Sequence, residues 1–174
     1  MAILKILQYP DLRLRRKGYQ VTDVTALKIQ TIIDNMTETL LAEKNCAGLA
    51  ATQLDLEEPP SITVINYPTS KTKKDILCLV NPQIITQEGS NTSEERCMSI
   101  RPKEFSAKIK RSAKIKARAL DLHGNKIELE ATDFLASCIQ HEYDHLQGIL
   151  YIDYLSKLKR AFLERKIAKL AKSG

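Results

Sequence analysis

Between Ala107 and Leu122 the chain reads "AKIKRSAKIKARALDL", with apolar and basic residues alternating at period two. Successive side chains of an extended strand point to opposite faces, so this run suits a half-buried sheet and conflicts with the 3.6-residue period of a helix. The "HGNK" that follows has the composition of a hairpin turn and leads into "IELEA", which makes the region antiparallel. Upstream, "PPSITVINYP" and "DILCLVNPQIIT" are rich in β-branched residues and interrupted by turn formers, and they too are predicted as strands.

Three other segments repeat at helical spacing. In "VTDVTALKIQTIIDNMTETLLAEKN" the apolar stripe is Leu27, Ile32, Ile33, Met36, Leu40 and Leu41, with Thr22 or Asp23 as the expected cap. "ATDFLASCIQHEYDHLQGIL" opens on Thr132 and Asp133 as cap and first-turn acid, places Leu135, Ile139 and Leu146 on one side, and closes near Gly148. The last twenty residues set Leu155, Leu158, Phe162, Leu163, Ile167 and Leu170 against lysines and arginines, predicting a terminal amphipathic helix over about 155–174. The fold class is therefore α+β.

Length bounds the organisation. At 174 residues the chain suits one domain, 1–174, able to bury a core without disulfide or metal staples. No apolar run approaches the roughly 20 residues of a bilayer span, and "MAILKILQYPDLRLRRKG" lacks the core of a secretory signal, so a cytoplasmic protein without a membrane partner is expected. Cys46, Cys78, Cys97 and Cys138 are widely spaced, which argues for buried thiols rather than a disulfide framework. The net charge is +6, and from Leu155 to Gly174 seven basic residues face Glu164 alone, so the tail carries the whole excess.

The chemistry concentrates in "CIQHEYDHLQG", Cys138 to Gly148. Residues four apart on a helix share a face, so His141 and His145 can aim both imidazoles at one ion. Glu142 lies about 100° round the helix from His141, poorly placed to coordinate but able to reach a water beside the ion, as a general base must. A catalytic site of this kind needs a third protein ligand. Cys138 is badly placed for it, since an ion above His141 lies about 7 Å along the axis while a thiolate reaches about 4 Å from its Cα. Cys46, Cys78, Cys97 or a distant carboxylate remain; Cys78 sits in an apolar strand, and Cys97, in the polar, turn-rich "SEERCMSIRP", is favoured. Asp144 lies off the histidine face and is expected to make outer or surface contacts, and His123 to be a turn residue.

"CAGLAATQ" (46–53), "ERCMS" (95–99) and "QHEYDHLQG" (140–148), in this order, resemble the three signature motifs of the peptide deformylases, GxGxAAxQ, EGCxS and QHExDHLxG, and the likeness spans nearly the whole chain. It implies antiparallel sheets packed around a central metal-binding HExxH helix, with long N-terminal and C-terminal helices. It also implies removal of the formyl group from N-formylmethionine of nascent polypeptides. The family's ligands fall on Cys97, His141 and His145, its catalytic acid on Glu142, and its oxyanion donors on the Gln53 side chain and the Met98 N–H. Gly48, Arg96, Ala47 and Cys138 are the expected substrate contacts, Glu95 a partner of a neighbouring strand or loop, and Gln140 an orienter of the helix. The implied ion is iron(II), with zinc, nickel or cobalt able to replace it, and the basic terminal helix is an implied ribosome contact. Two positions depart from the pattern: Cys46 and Arg96 stand where the motifs have glycine. Arg96 leaves a weakly active divergent paralogue as one alternative. The others are an HExxH zinc endopeptidase, which usually recruits a histidine or acid as third ligand, and a basic RNA-binding protein with a closed structural metal.

Overall fold

The computed structural model describes residues 2–67, 76–101 and 105–172. Its helices are α1 (Leu27–Ala42), α2 (Asp133–Leu146) and α3 (Lys157–Lys172), and its strands are β1 (Gly48–Ala50), β2 (Ile62–Asn66), β3 (Ile76–Glu88), β4 (Asn91–Glu95), β5 (Ala107–Arg111), β6 (Lys114–Leu120) and β7 (Lys126–Thr132). One sheet runs β1-β2-β3-β6-β7 and a second pairs β4 with β5, every pairing antiparallel. The architecture is the expected one.

The long period-two run is divided. Its first part pairs only with β4, its second with β3 and β7, and the break falls at Ser112 and Ala113. Backbone groups leaving a ladder need other partners. The Gln140 side chain supplies them for Ser112, accepting from its N–H at 3.0 Å and donating to its carbonyl at 3.0 Å. Pro82 inside β3 cannot donate to a ladder, and the register shifts between Val80 and Gln83 where it sits. The hairpin turn after β6 is as expected: Asp121 Oδ1 accepts from the His123 and Asn125 N–H groups, and Gly124 takes a φ of +86°.

Three apolar clusters hold these layers. Ile29, Ile32, Ile33, Met36 and Leu40 of α1 pack on Leu49, Ile62, Val64 and Val80. Ala136, Cys138 and Ile139 of α2 pack on Ile65, Leu79, Ile115 and Ala119. Leu163 and Ile167 of α3 close over Leu7, Leu14, Ile109 and Tyr151. Helix α2 therefore lies between the large sheet and the β4–β5 hairpin.

Several local expectations are corrected. Helix α1 begins later than its expected caps, with Ala26 at the N-cap, and Asp23 accepts from Thr25 N–H instead. Leu27 and Leu41 face outward, leaving a narrower stripe. Thr132 is the N-cap of α2 but makes no capping bond, although Asp133 is the first-turn acid. Leu158 and Phe162 of α3 are exposed, and Lys166 lies over the Phe162 ring, so only the face through Leu163 and Ile167 is buried. β4 was unforeseen because "NTSEE" has no apolar alternation. Among the described residues no helix is long and apolar enough to cross a membrane.

Candidate metal centre

Helix α2 is positioned by its ends and its sheet-facing side. At its C-terminus the Gly148 N–H donates to the His145 carbonyl at 3.0 Å and the Ile149 N–H to the Asp144 carbonyl at 2.9 Å, the paired bonds of a Schellman cap. Gly148 has φ +75°, and a Cβ there would collide with the Arg15 carbonyl. Thr52 Oγ1 donates to the His145 carbonyl at 2.7 Å, tying the last turn to the segment after β1.

His141 and His145 point the same way, with Nε2 atoms 3.2 Å apart. Cys97 is brought to them by the turn after β4, closed by the Ile100 N–H on the Cys97 carbonyl at 2.9 Å, and its Sγ lies 3.2 Å from His145 Nε2. The three ligand atoms fall within 4.8 Å of one another. One thiolate and two imidazoles are donors that divalent transition ions prefer, so these side chains fit such an ion. The expected triplet is thus together, whereas Cys46, Cys78 and Cys138 are not part of it.

A buried ion network backs the histidines. Arg111 donates to Glu95 from Nε at 2.7 Å and Nη2 at 2.9 Å, and from Nη1 to Asp144 Oδ2 at 2.6 Å. Glu95 Oε2 lies 2.8 Å from His141 Nδ1, which leaves Nε2 facing the other donors. Tyr154 donates to Asp144 at 2.8 Å, and its ring lies under the guanidinium. Burial alone would raise the Glu95 pKa, but Arg111 and His141 outweigh it and hold the carboxyl at about 2. Arg111 was missed as a functional residue. Its signal was its place in the alternation: it falls on the same inward phase as Ile109.

Burial lowers the His145 pKa, with help from His141 and Arg111, keeping that ring neutral as a ligand must be. Burial would also lower His141, but the Cys97 sulfur and Glu95 outweigh it and raise its pKa. Glu142 is 3% exposed, and its Oε2 has no hydrogen-bond partner among the described residues. Burial and then Glu95 push its pKa up to about 7, against the pull of His141 and Arg111. A carboxyl poised there can both take and give a proton near neutrality. Gly48 makes room for it, since a Cβ at that position would stand 2.6 Å from Glu142 Oε1.

Gln53 is almost fully buried and fixed by its carbonyl oxygen, which accepts from the Ala50 N–H at 2.9 Å. Its Nε2 therefore faces Ser99 Oγ at 3.1 Å and Cys97 Sγ at 3.5 Å. A cavity of about 770 Å³ opens over the site, lined by Ala47, Gly48, Gln53, Arg96, Cys97, Met98, Cys138, His141 and Glu142. Phe134 and Ser137 also line it and were not anticipated, though both share a face of α2 with Cys138 and His141. Burial and the nearby Glu142 raise the thiol pKa of Cys46, to about 12, and of Cys138, leaving both protonated as apolar wall.

The polypeptide deformylase family model matches residues 3–161. The chain belongs to that family. It is 49% identical over 172 residues to Peptide deformylase 1 of Coxiella burnetii, covering 99% of each chain. Its fold matches the crystal structure of a peptide deformylase from Legionella pneumophila with a TM-score of 0.85 at 35% identity, covering 98% of this chain and 96% of the other. It also matches a peptide deformylase from Ehrlichia chaffeensis in complex with actinonin, with a TM-score of 0.86 at 33% identity over 97% and 98% of the two chains. Deformylases are metal-dependent hydrolases, and the Cys97, His141 and His145 cluster can hold the ion such an enzyme needs.

Proposed function

We propose that this deformylase removes the formyl group from N-formylmethionine at the start of new polypeptides, releasing formate, with Cys97, His141 and His145 as its metal ligands. The observation that carries the reading is a buried carboxyl, Glu142, whose Oε2 has no partner among the described residues, beside a Cys/His/His donor set in a cavity wide enough for a peptide end. When bound, a divalent ion supplies Lewis acidity that eases proton loss from water near neutral pH and polarises a carbonyl.

The chain's own residues do the rest. Glu142 takes the proton from the attacking water and returns it to the departing amine, which is too basic to leave unprotonated. The Gln53 amide and the Met98 N–H donate to the oxyanion as the formyl carbon becomes tetrahedral. Ala47 and Cys138 offer apolar wall to the methionine side chain, Gly48 keeps the Glu142 carboxyl unobstructed, and Arg96 lies along the path of the following residues. The ion is iron(II) on the family resemblance, with zinc, nickel and cobalt suited to the same donors. The activity belongs in the cytoplasm, where polypeptides are made.

Formate release from formyl-Met-Ala-Ser by anaerobically iron-loaded protein tests this. Wild type should turn over, and Glu142→Gln should keep its metal while losing about 10²-fold or more. Cleavage of unformylated internal peptide bonds without formate release would point to an endopeptidase instead. Glu142→Gln turning over at the wild-type rate would remove the assigned proton carrier.

A second reading concerns α3, whose basic side chains and exposed Leu158 and Phe162 would suit docking on ribosomal RNA and protein near the exit of the nascent chain. Salt-dependent ribosome association should disappear on deleting residues 158–174. Equal binding by the truncated protein would refute it.

A further inference from the structure

The strap from Leu7 to Tyr9 bonds to both stretches assigned above to the oxyanion. Leu7 N–H donates to the Gln53 carbonyl at 2.8 Å, Gln8 Nε2 to the Met98 carbonyl at 2.9 Å, and Tyr9 N–H to the Ser99 carbonyl at 2.7 Å. The strap is held at its outer edge as well, because the Tyr9 hydroxyl donates to Glu164 Oε1 at 2.7 Å and Glu164 accepts from Arg160 Nε at 3.0 Å.

These bonds bear on one direction in space. The Met98 N–H shares a rigid peptide plane with the Cys97 carbonyl, so its aim depends on how the turn from Cys97 to Ile100 is held. Three carbonyls in that turn are engaged in succession: Cys97 by the Ile100 N–H, Met98 by Gln8 and Ser99 by Tyr9 N–H. Two of these restraints come from main chain and do not depend on residue type. The third comes from the exposed side chain of Gln8. That bond alone of the three depends on residue type, so substitution can remove it and leave the other two in place.

We propose that Gln8 is a positioning residue that, by holding the Met98 carbonyl, fixes the turn around that residue so that the Met98 N–H, in the preceding peptide, meets the developing oxyanion; this rests on the deformylase reading above. Gln8 touches neither substrate nor ion. Its effect should therefore appear in the chemical step and not in peptide or metal binding.

The test compares Gln8→Ala and Gln8→Glu in the metal-loaded protein. Gln8→Ala should lower kcat about fivefold, the equivalent of one ordinary hydrogen bond, with KM and metal content unchanged and the unfolding midpoint lowered by no more than about 2–4 °C. Gln8→Glu is isosteric but sets a carboxylate oxygen against the Met98 carbonyl, so it should lose at least as much; a packing role would leave it near wild type. Amide hydrogen exchange at Met98 and Ser99 should quicken in both variants. Both variants within twofold of wild type in kcat, a loss tracking metal content, or unchanged exchange would each overturn the proposal. A wild type releasing no formate would count against the function alone, because exchange reads the restraint without turnover.

Discussion

Replacing Arg111 by Met removes the guanidinium that, among the described residues, pairs with both Glu95 and Asp144. The guanidinium is 4% exposed and the two carboxylates 7% and 13% exposed, so neither can be resolvated by water once it is gone. Removing one partner of a buried ion pair costs about 3–5 kcal/mol, because an uncompensated charge stays buried. With two carboxylates stranded, the upper part of that range applies, about 5 kcal/mol. For a chain of this length the corresponding fall in Tm is about 10–20 °C.

The pH dependence identifies the cause. With Arg111 present the folded Glu95 pKa, about 2, lies below its unfolded value, so the pair stabilises the protein above the unfolded value and that contribution is lost as pH falls through the folded one. Without Arg111, burial raises the Glu95 carboxyl, which then destabilises at neutral pH and ceases to do so once protonated. The deficit of the variant should thus shrink steadily from pH 7 to about pH 4. Urea unfolding of metal-loaded wild type and Arg111→Met across that range measures it. Arg111→Lys, which keeps the charge but not the fork, should fall between them. A deficit under about 1.5 kcal/mol, or one independent of pH, would refute the electrostatic argument.

Gly48→Ala should fold and keep its metal, since a Cβ there meets only the end of the Glu142 side chain, but displacing that carboxyl should cost about 10²-fold in kcat; metal analysis beside steady-state kinetics checks this, and kcat at the wild-type level would contradict it. Gly148→Ala combines a positive φ with a clash on main chain at the end of α2, so it should lose about 2 kcal/mol or more in urea unfolding, and a loss below about 1 kcal/mol would show that the turn can shift. Arg96→Gly should raise kcat/KM for formyl-Met-Ala-Ser about two- to tenfold, the cost of immobilising one long exposed side chain at the cavity mouth, and an unchanged or lower value would mean that Arg96 assists the substrate.

What could be read from the chain and what could not separate along a physical line. The spacing of His141, Glu142 and His145 is local, set by helix geometry, and so could be derived before any tertiary structure was known. The hairpin at Gly124 and the close at Gly148 are local in the same sense, since each needs a backbone conformation few residues tolerate. Cys97 reaches the histidines through a turn after a strand with no apolar pattern, so its polar, turn-rich surroundings and then the motif order located it where periodicity could not. The split at Ser112 was hidden because both halves keep one inward phase; the groups that take up its backbone, the Gln140 side chain at Ser112 and the Asp133 N–H at the Ala113 carbonyl, are remote in sequence. Arg111 was hidden differently. Its phase points inward and its charge points outward, and in the structure the phase prevails. An ionic residue on the buried phase of a strand needs a counter-charge from another element, and here two acids answer, one of which also bonds a metal-facing histidine. Such a conflict between pattern and polarity marks where a fold has set stability aside for a site, and in this chain it lies two hydrogen bonds behind His141, through Glu95.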